Sequence, residues 1–340
     1  MFDKNSFSNV QRKGLLVIDG DWLAFKVAAI LENKSVQIYD SEGNFVKKFK
    51  TKTDFKKSKV YDETFEIRDS QVLKSNYQKT MEYRLNDLVN TYLVRTGCDR
   101  VLVAMGGKTN FRNDLPLPQK YKGNREGETR PLALYETREK IFDIFETALS
   151  YNEEADDIIS KYQFLSSKNP EEHIVVCTLD KDARGTPGKL YNPDKDTLVN
   201  IEGLGFLKLD KSANGYKLYG EGRMWFYSQL LTGDKADNYY PCDYYKKLIG
   251  NNSKSPLITA LKCYNMLAEC KTDAECIKVL KDTYYGWYKD ITSWKDWQGN
   301  EIEGTWVDMF QMYVDVVHMR RFDGDRVCAK DLLQRFGLLD

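Results

Sequence analysis

Three short apolar runs constrain the fold of this chain more than any other feature of its sequence. They lie at residues 15–18, 101–104 and 174–177, and segments with apolar residues at helical spacing separate them. Apolar runs of this length, without polar alternation, are typical of strands that are buried on both faces of a parallel sheet. The pattern therefore predicts an α/β fold with a mostly parallel central sheet flanked by helices.

The spacing of apolar residues elsewhere predicts further helices and strands, and it predicts that the C-terminal part of the chain is mainly helical. Helices are expected at residues 22–31, 70–96, 131–149, 153–165 and 221–231, with a β-hairpin at 35–50. Strand signals fade after Asn238, and helices are expected at 257–270, 272–285 and 305–321. Thr272 and Glu275 form a capping-box pattern. We therefore expect an α/β core at 12–240 and a helical C-terminal region at 241–340, with a boundary near Pro241.

Composition excludes several classes of protein. The 340 residues contain 51 basic and 51 acidic side chains, so the chain is not a uniformly basic nucleic-acid binder. Seven cysteines without a C-x-x-C pair, and only two histidines, argue against a disulfide framework and structural zinc. No signal peptide or membrane-spanning run is apparent, so we expect a cytoplasmic protein without a membrane partner. Any metal site must therefore be built from carboxylates.

Four clusters of acidic residues are the strongest functional signal. Two follow predicted strands, one opens the predicted helix at 153–165, and one follows the predicted helix at 221–231; together they include Asp19, Asp21, Glu153, Glu154, Asp156, Asp157, Asp180, Asp182, Asp234 and Asp237. Ligands of open parallel sheets bind at the carboxyl ends of the strands, which predicts that these acids meet. Carboxylates without histidine or thiolate favour Mg²⁺ or Mn²⁺, and two such ions suit phosphodiester cleavage.

Each cluster also has a simpler interpretation. Acids in the first turn of a helix are favoured by the helix dipole, and Gly-Asp-x-x-Asp-Asn is a common turn sequence. For a single cluster the simpler interpretation is the stronger one. The conjunction of four clusters, two of them at strand ends, favours a metal site.

Basic residues are concentrated in two segments. Residues 108–130 carry six cations and three acids, and they place aromatic rings next to cations. This pattern predicts nucleic-acid contacts, which we assign to Lys108, Arg112, Lys120 and Tyr121. A solvated polar loop explains the pattern equally well. Residues 47–59 carry seven lysines and one acid, Asp54, and a solvated face is the simpler explanation there.

Five motifs occur in one order along residues 15–238. They read VIDGDWLAF at 17–25, NFR at 110–112 with YKGNR at 121–125, EADDII at 154–159, TLDKD at 178–182 and LTGDKADN at 231–238. In this order the chain resembles the structure-specific 5′-nuclease (flap endonuclease) family, and most closely its bacteriophage 5′–3′ exonucleases. The resemblance implies a PIN-like 5′-nuclease core. The last hundred residues carry no such motif.

The resemblance also implies roles for individual residues. A site for two Mg²⁺ (or Mn²⁺) ions is implied, with Asp19, Glu154 and Asp156 at the first metal, Asp157 in support, Asp180, Asp182 and Asp234 at the second, and Asp237 nearby. Lys122 and Arg125 match a catalytic pair that approaches the scissile phosphate. Residues 106–130, which we call the gateway segment, match the passage that a single strand enters.

The implied activity is two-metal hydrolysis of phosphodiester bonds near 5′ ends. The implied substrate is DNA with a 5′ end or flap, or an RNA primer on DNA, and the enzyme would act as a monomer in primer removal or DNA breakdown during phage infection, in the host cytoplasm. Two departures stand out. Met105 occupies a place where the family usually has a metal-ligating aspartate, which Asp21 or water would have to replace. The family binds K⁺ at a glycine-rich helical turn after the last motif. The corresponding residues here, 239–256, contain a single glycine, Gly250.

Two alternatives stay open at this point. One is a PIN-like ribonuclease, which also uses carboxylates on a parallel sheet but which the chain length and the gateway motif disfavour. The other is a DNA-structure-binding protein that has lost catalysis, for which Met105 is the main support.

Overall fold

The computed structural model describes residues 14–339 except 214 and 254, so residues 12 and 13 of the expected core and Asp340 lie outside the described residues. The strands are β1 (Leu15–Asp19), β2 (Glu32–Tyr39), β3 (Phe45–Phe49), β4 (Glu66–Leu73), β5 (Arg100–Met105), β6 (Thr147–Leu149), β7 (Ile174–Cys177), β8 (Gly188–Asn192), β9 (Thr197–Ile201), β10 (Phe206–Ser212), β11 (Gly215–Glu221), β12 (Ser293–Lys295) and β13 (Glu301–Glu303). The α-helices are α1 (Gly20–Ile30), α2 (Lys52–Lys56), α3 (Tyr77–Thr96), α4 (Leu134–Ile144), α5 (Ala155–Lys168), α6 (Arg223–Thr232), α7 (Asp243–Leu248), α8 (Ala260–Leu267), α9 (Asp273–Tyr288), α10 (Trp306–Val317) and α11 (Ala329–Arg335).

A six-stranded sheet lies at the centre, in the order β6-β5-β1-β7-β8-β9. The first five strands of this order run parallel, and β9 pairs antiparallel with β8 at one edge. The three apolar runs form β1, β5 and β7, side by side in the middle of the sheet. The predicted fold class is therefore confirmed.

Helices cover both faces of this sheet, which explains why its central strands are apolar throughout. Leu16 and Ile18 of β1 pack toward α1, α3 and α4 on one face. Val17 packs toward α5 on the other face. Because side chains alternate along a strand, Asp19 extends toward the α5 side, at the carboxyl end of the sheet.

The C-terminal helices share a second apolar core with α6. Leu230 of α6 packs in one cluster with Tyr284 of α9 and Phe310 of α10, and all three are fully buried. The chain on both sides of Pro241 therefore contributes to one core. The predicted capping box is confirmed, since Thr272 and Glu275 each accept from the other's backbone N–H at the start of α9.

Several predicted elements differ from the structure. Residues 66–73, in part assigned to a helix, form β4, which pairs with β2 over eight residues. Residues 147–149 leave the predicted helix and form the edge strand β6. The hairpin prediction is confirmed by β2 and β3, but strands β8 to β11 and the β12–β13 pair were not predicted. These strands depend on pairing partners, whereas a local pattern reports only local periodicity.

None of the helices in the part of the chain that the structure describes is both long and apolar enough to cross a membrane.

Candidate active site

Four segments bring acidic side chains to the carboxyl end of the central strands. Asp19 ends β1, and Asp180 and Asp182 follow β7. Glu154 and Asp156 lie at the start of α5, and the last acids lie in a loop directly after α6. Residues that are far apart in the sequence therefore meet at one edge of the sheet, as the strand-end positions predict.

Asp19 is held by the elements on both sides of it. Its Oδ1 accepts from the backbone N–H of Trp22 at 3.0 Å, so it caps α1. Its Oδ2 accepts from the Thr178 hydroxyl at 3.0 Å, which links β1 to β7. The fold therefore fixes the orientation of the Asp19 carboxylate through these two hydrogen bonds.

The segment after β7 positions its two acids through its own backbone. The N–H of Asp180 donates to the Thr178 hydroxyl at 3.0 Å, and the N–H of Asp182 donates to Asp180 Oδ1 at 2.7 Å. Gln229 of α6 donates to Asp182 Oδ1 at 2.5 Å. These bonds orient both carboxylates without neutralising them.

A tight loop after α6 supplies the remaining acids. Gly233 begins it with a φ of 69°, and a Cβ at this position would lie 2.3 Å from the carbonyl oxygen of Tyr239. Asp234 and Tyr239 then exchange two backbone hydrogen bonds of 2.9 and 3.1 Å, which close the loop. Asp237 lies inside this closed loop.

Three carboxylates form the tightest group. Asp182, Asp234 and Asp237 each offer an oxygen, and the three oxygens lie within 4.8 Å of one another. The sequence predicted that these residues belong to one site. In the structure a single cation could contact all three. Such a donor set of hard oxygen atoms fits Mg²⁺ or Mn²⁺.

Burial, and to a smaller extent mutual repulsion, raises the pKa values of three of these acids. Burial raises the pKa of Asp19 to about 6, and the charge of Asp180 adds to this rise. Burial, followed by the charge of Asp180, also raises the pKa of Asp156 and that of Asp182 well above the usual value. The charge of Asp180 therefore acts on all three of these carboxylates. Cations bound among them would be stabilised by the same negative charges.

Lys122 and Arg125 of the gateway segment lie directly on the acids. Lys122 Nζ is 2.5 Å from Glu154 Oε1 and 3.6 Å from Asp237 Oδ1, and Arg125 Nη2 is 2.9 Å from the same Asp237 oxygen. Burial alone would lower the pKa of Lys122, but the charges of Asp237 and Glu154 outweigh it and raise that pKa. Lys122 is therefore protonated at neutral pH.

The gateway segment is attached to the loop after α6 by hydrogen bonds to the backbone carbonyls of that loop. The N–H of Lys122 donates to the carbonyl of Asp237 at 2.9 Å, and Arg125 Nε donates to the carbonyl of Ala236 at 3.1 Å. Two short 3₁₀ turns, Phe111–Asp114 and Gly123–Arg125, are its regular structure. The segment thus holds its cations beside the carboxylates.

Tyr121 differs from its predicted place on a nucleic-acid surface. It is buried, and its hydroxyl lies 2.9 Å from Glu154 Oε2 and 3.3 Å from Asp237 Oδ2. Burial, followed by the charges of these two acids, raises its pKa far above the usual value. The hydroxyl therefore stays protonated and links two carboxylates, and the ring is not available for stacking on a base.

Arg112 also lies in the interior and not on a nucleic-acid surface. Its guanidinium forms two bonds of 2.6 and 3.0 Å to Asp157 and donates to the carbonyls of Val316 and His318 at 3.1 and 2.9 Å. Burial raises the pKa of Asp157, but Arg112 outweighs this and lowers it. Protein acceptors thus occupy the guanidinium, which corrects the predicted role of Arg112 and makes Asp157 a structural partner.

Lys108 and Lys120 are exposed, as a nucleic-acid contact requires. Lys108 lines the cleft described below. Lys120 pairs with Glu126 at 2.5 Å and lies over the ring of Trp297 at 5.0 Å. Lys108 therefore presents its charge at the cleft, whereas Lys120 is engaged by neighbouring side chains.

Met105 lies on the opposite side of the sheet from the acids. Its side chain packs with Leu16 and Ile18 under α1, and Ala104 is the residue of β5 that pairs with Asp19. A carboxylate at position 105 would therefore enter the apolar core, unlike the aspartate that the resemblance implies. Asp21 is engaged in an ion pair with Arg138 of α4.

Sequence reasoning missed several residues of the site. Lys181 Nζ lies 2.6 Å from Asp234 Oδ2, and Gln229 and Thr178 hold acids as described above. Lys181 is flanked by Asp180 and Asp182 in the sequence, which was an available signal for a cation in the site. Gln229 lies on a mostly apolar helix and has no such signal.

The assembled site borders a cleft of about 530 Å³. Its lining is mostly polar and includes both signs of charge; it comprises Asp19, Asp21, Trp22, Gly106, Gly107, Lys108, Thr109, Asn110, Asn113, Tyr121, Lys122, Arg125, Arg130, Glu153, Glu154, Ala155, Asp156 and Asp180. A cleft of this composition accommodates a phosphate-bearing polymer better than an apolar ligand.

Comparison with known proteins yields structural likeness but no family match. No family model matches the chain, and no curated protein matches it. Among solved structures, the chain is similar to the T5 D15 protein co-crystallised with metal ions, at 14% identity over 95% of this chain and 96% of the other, with a TM-score of 0.49. It is also similar to the bacteriophage T5 D15 flap endonuclease in complex with DNA and metal ions, at 15% identity over 95% and 96% of the two chains, with a TM-score of 0.46.

A T5 5′-exonuclease with bound zinc is a further neighbour, at 14% identity, over 95% of this chain and 96% of the other, with a TM-score of 0.45. These likenesses do not by themselves assign an activity.

Proposed function

We propose that the chain is a divalent-metal-dependent nuclease that hydrolyses phosphodiester bonds near the 5′ ends of DNA, or of RNA primers on DNA. One observation carries the proposal: carboxylates from four separate segments meet around Lys122 and Arg125, and three of these segments line one polar cleft. Acids alone would suit several hydrolases. Acids with two adjacent cations suit a substrate whose reacting group is an anionic phosphate.

We assign two cation positions to these carboxylates. Asp19, Glu154 and Asp156 would hold one ion, and Asp180, Asp182, Asp234 and Asp237 the other. Bound Mg²⁺ or Mn²⁺ ions would supply positive charge that activates water and stabilises the departing oxygen. The raised pKa values of Asp19, Asp156 and Asp182 support this assignment, because bound cations would offset the burial of these carboxylates and their mutual repulsion, which together raise the values.

Lys122 and Arg125 would act on the substrate. In the described structure they lie on Glu154 and Asp237, at the edge of the cleft. Metal ions on these acids would free the two cations to bind the scissile phosphate. Their charges would then stabilise the transition state, in which negative charge develops on the phosphoryl oxygens.

A test requires a variant that removes one charge from the centre of the site. Asp180→Asn should reduce cleavage of a 5′-flapped duplex in Mg²⁺ buffer by at least about 100-fold, since one cation position loses a ligand. Asp194→Asn, at an exposed surface carboxylate, is the matched control and should keep full activity. Full activity of Asp180→Asn would refute the proposed site.

The alternatives predict other outcomes in the same assay. A PIN-like ribonuclease would cleave single-stranded RNA and leave the 5′-flapped duplex intact. A DNA-structure-binding protein without catalysis is favoured by one observation, that β5 places Ala104 and no carboxylate beside Asp19. It would bind the flapped duplex tightly and cleave neither substrate.

A further inference from the structure

The lysine-rich segment lies outside the cleft, and the proposed function does not use it. Its seven lysines are all exposed and lie on β3, on α2 or just beside them: Lys47, Lys48, Lys50, Lys52, Lys56, Lys57 and Lys59. Asp54 is the one acid between residues 47 and 59, so this segment carries a local charge of +6. Such a density of like charge is costly unless an anion approaches it.

Neighbouring acids do not neutralise this segment. Among residues 14–339, leaving out 214 and 254, Lys52 alone of the seven lysines pairs with a carboxylate, at 2.8 Å from Asp69. The Asp54 carboxylate accepts from the Thr51 hydroxyl at 2.8 Å. Most of the positive charge is therefore presented to solvent.

Protection of a sheet edge explains only part of the pattern. β3 is an edge strand of the sheet β3-β2-β4, and lysines on edge strands discourage pairing with other chains. This accounts for Lys47 and Lys48. It does not account for Lys56, Lys57 and Lys59, which lie at the end of α2 or beyond it and not on the edge strand.

Exposed aromatic rings accompany these cations. Phe45, at the start of β3, is 57% exposed, and Tyr61, two residues after the last lysine, is 44% exposed. Lysines that contact phosphates, together with aromatic faces on which bases stack, are the combination that binds single-stranded nucleic acid.

The small sheet that carries these lysines is attached beside the cleft. Glu32 of β2 accepts from the N–H of Leu132 at 2.9 Å, and Gln71 of β4 donates to the carbonyl of Arg130 at 3.2 Å. Arg130 in turn lines the cleft. The base of this sheet therefore lies next to a residue of the cleft wall.

We propose that residues 45–61 form a second nucleic-acid surface, which binds single-stranded DNA or RNA outside the cleft. The inference rests on the proposed function, because the strand it binds would be the substrate of the cleft. Its binding is electrostatic and independent of sequence, with base stacking on Phe45 and Tyr61.

The test compares two triple variants by fluorescence anisotropy with labelled oligo(dT), in EDTA so that cleavage does not interfere. One variant combines Lys48→Gln, Lys56→Gln and Lys57→Gln. The matched control combines Lys208→Gln, Lys211→Gln and Lys217→Gln on the exposed β10–β11 hairpin, which also carries Asp210.

The measured quantity is the slope of log affinity against log salt concentration. For the first variant the slope should fall by about 2 in magnitude, since each phosphate contact with a single strand contributes about 0.7. The control should keep the wild-type slope. Phe45→Ala should weaken oligo(dT) binding several-fold without changing the slope, because stacking does not involve ion release.

Three results would overturn the proposal. They are an unchanged slope in the first variant, an equal loss in the control, and competition by poly-glutamate as effective as that by oligo(dT) at equal charge. The last result would indicate an acidic protein as the partner. The single-strand assignment would be overturned if the lysine variant lost as much affinity for a duplex of the same length as it loses for oligo(dT).

The two proposals fail separately. If the wild-type protein cleaves no nucleic acid but its lysines set the salt slope, the proposed function fails, and residues 45–61 remain a nucleic-acid surface without a substrate to deliver. If the wild-type protein cleaves a 5′-flapped duplex and the lysine variant binds oligo(dT) like wild type, this inference fails alone.

Discussion

Two groups of cations and carboxylates lie within one turn of each other at the start of α5, and they differ in their access to water. The side chains of Arg112 and Asp157 have no exposed surface, whereas those of Lys122 and Glu154 are 23% and 14% exposed. Glu154 and Asp157 are only three residues apart. The same types of residue therefore form an internal link in one case and a group open to a substrate in the other.

The difference has consequences for energy. Removing one partner of a buried pair leaves an uncompensated charge in the interior, and this is strongly destabilising. A partly exposed pair contributes little to stability, because water and ions screen it. The Arg112 pair should therefore matter for folding, and Lys122 for chemistry.

The largest effect is expected from Arg112→Ala. It should lower the free energy of unfolding by about 3–5 kcal/mol, since Asp157 and the carbonyls of Val316 and His318 lose their donor. Urea unfolding followed by circular dichroism measures it. Arg125→Ala is the matched control and should cost less than about 1 kcal/mol.

Arg112→Lys sharpens this test. It keeps one positive charge but loses the planar fork that forms two bonds to Asp157, so an intermediate loss is expected. If Arg112→Ala and Arg125→Ala lowered the free energy of unfolding equally, the contrast between the buried and the partly exposed ion pairs would be wrong.

The next effect concerns Lys122→Ala, which should act on rate and not on stability. If Lys122 stabilises charge in the transition state, kcat for cleavage of a 5′-flapped duplex should fall by about 10²–10³-fold. The free energy of unfolding should change by less than about 1 kcal/mol. Lys140→Ala, at a surface pair on α4, should leave both quantities unchanged. A wild-type rate would remove Lys122 from the mechanism.

A smaller effect contrasts Asp19 with Asp157 through pH. Burial raises the pKa of Asp19 to about 6, against about 3.9 in an unfolded chain. As pH rises from 4 to 6, the unfolded state loses this proton first, so the free energy of unfolding falls and stays lower above pH 6. In EDTA at pH 7.5, Asp19→Asn should therefore be more stable than wild type, by on the order of 2 kcal/mol, with no gain at pH 4.

Asp157 should show the opposite dependence. Its pKa is lowered by Arg112, despite burial, so its contribution is present above its unfolded pKa and is lost as pH falls through the lower folded value. Asp157→Asn should therefore be less stable than wild type at pH 7.5. Urea unfolding of both variants at pH 4 and pH 7.5 measures these changes. A stability difference that is independent of pH would contradict the assignments.

The sequence was sufficient to predict the strand-end acids. Asp19 and Asp180 follow apolar runs, and the geometry of a parallel sheet brings such positions together. The same reasoning could not predict the role of Arg112. Its partners lie 45, 204 and 206 positions away, at Asp157, Val316 and His318, and an arginine beside an aromatic residue also suits a nucleic-acid surface.

The sequence also could not predict toward which face of the sheet a side chain points. Met105 follows an apolar run just as Asp19 does, but the register of β1 and β5 turns it to the other face of the sheet. Register depends on the pairing of two strands that are about 85 residues apart, so local periodicity does not report it.

The bonds from Arg112 to the carbonyls at positions 316 and 318 also bear on how the protein is made. Asp157, at the start of the helix that presents Glu154 and Asp156, has a buried partner whose remaining donors are taken up by the carbonyls of Val316 and His318. A nascent chain on the ribosome therefore lacks this arrangement until α10 has been synthesised. The proposed site would become competent only after that helix has docked, and not when its own acidic residues are first in place.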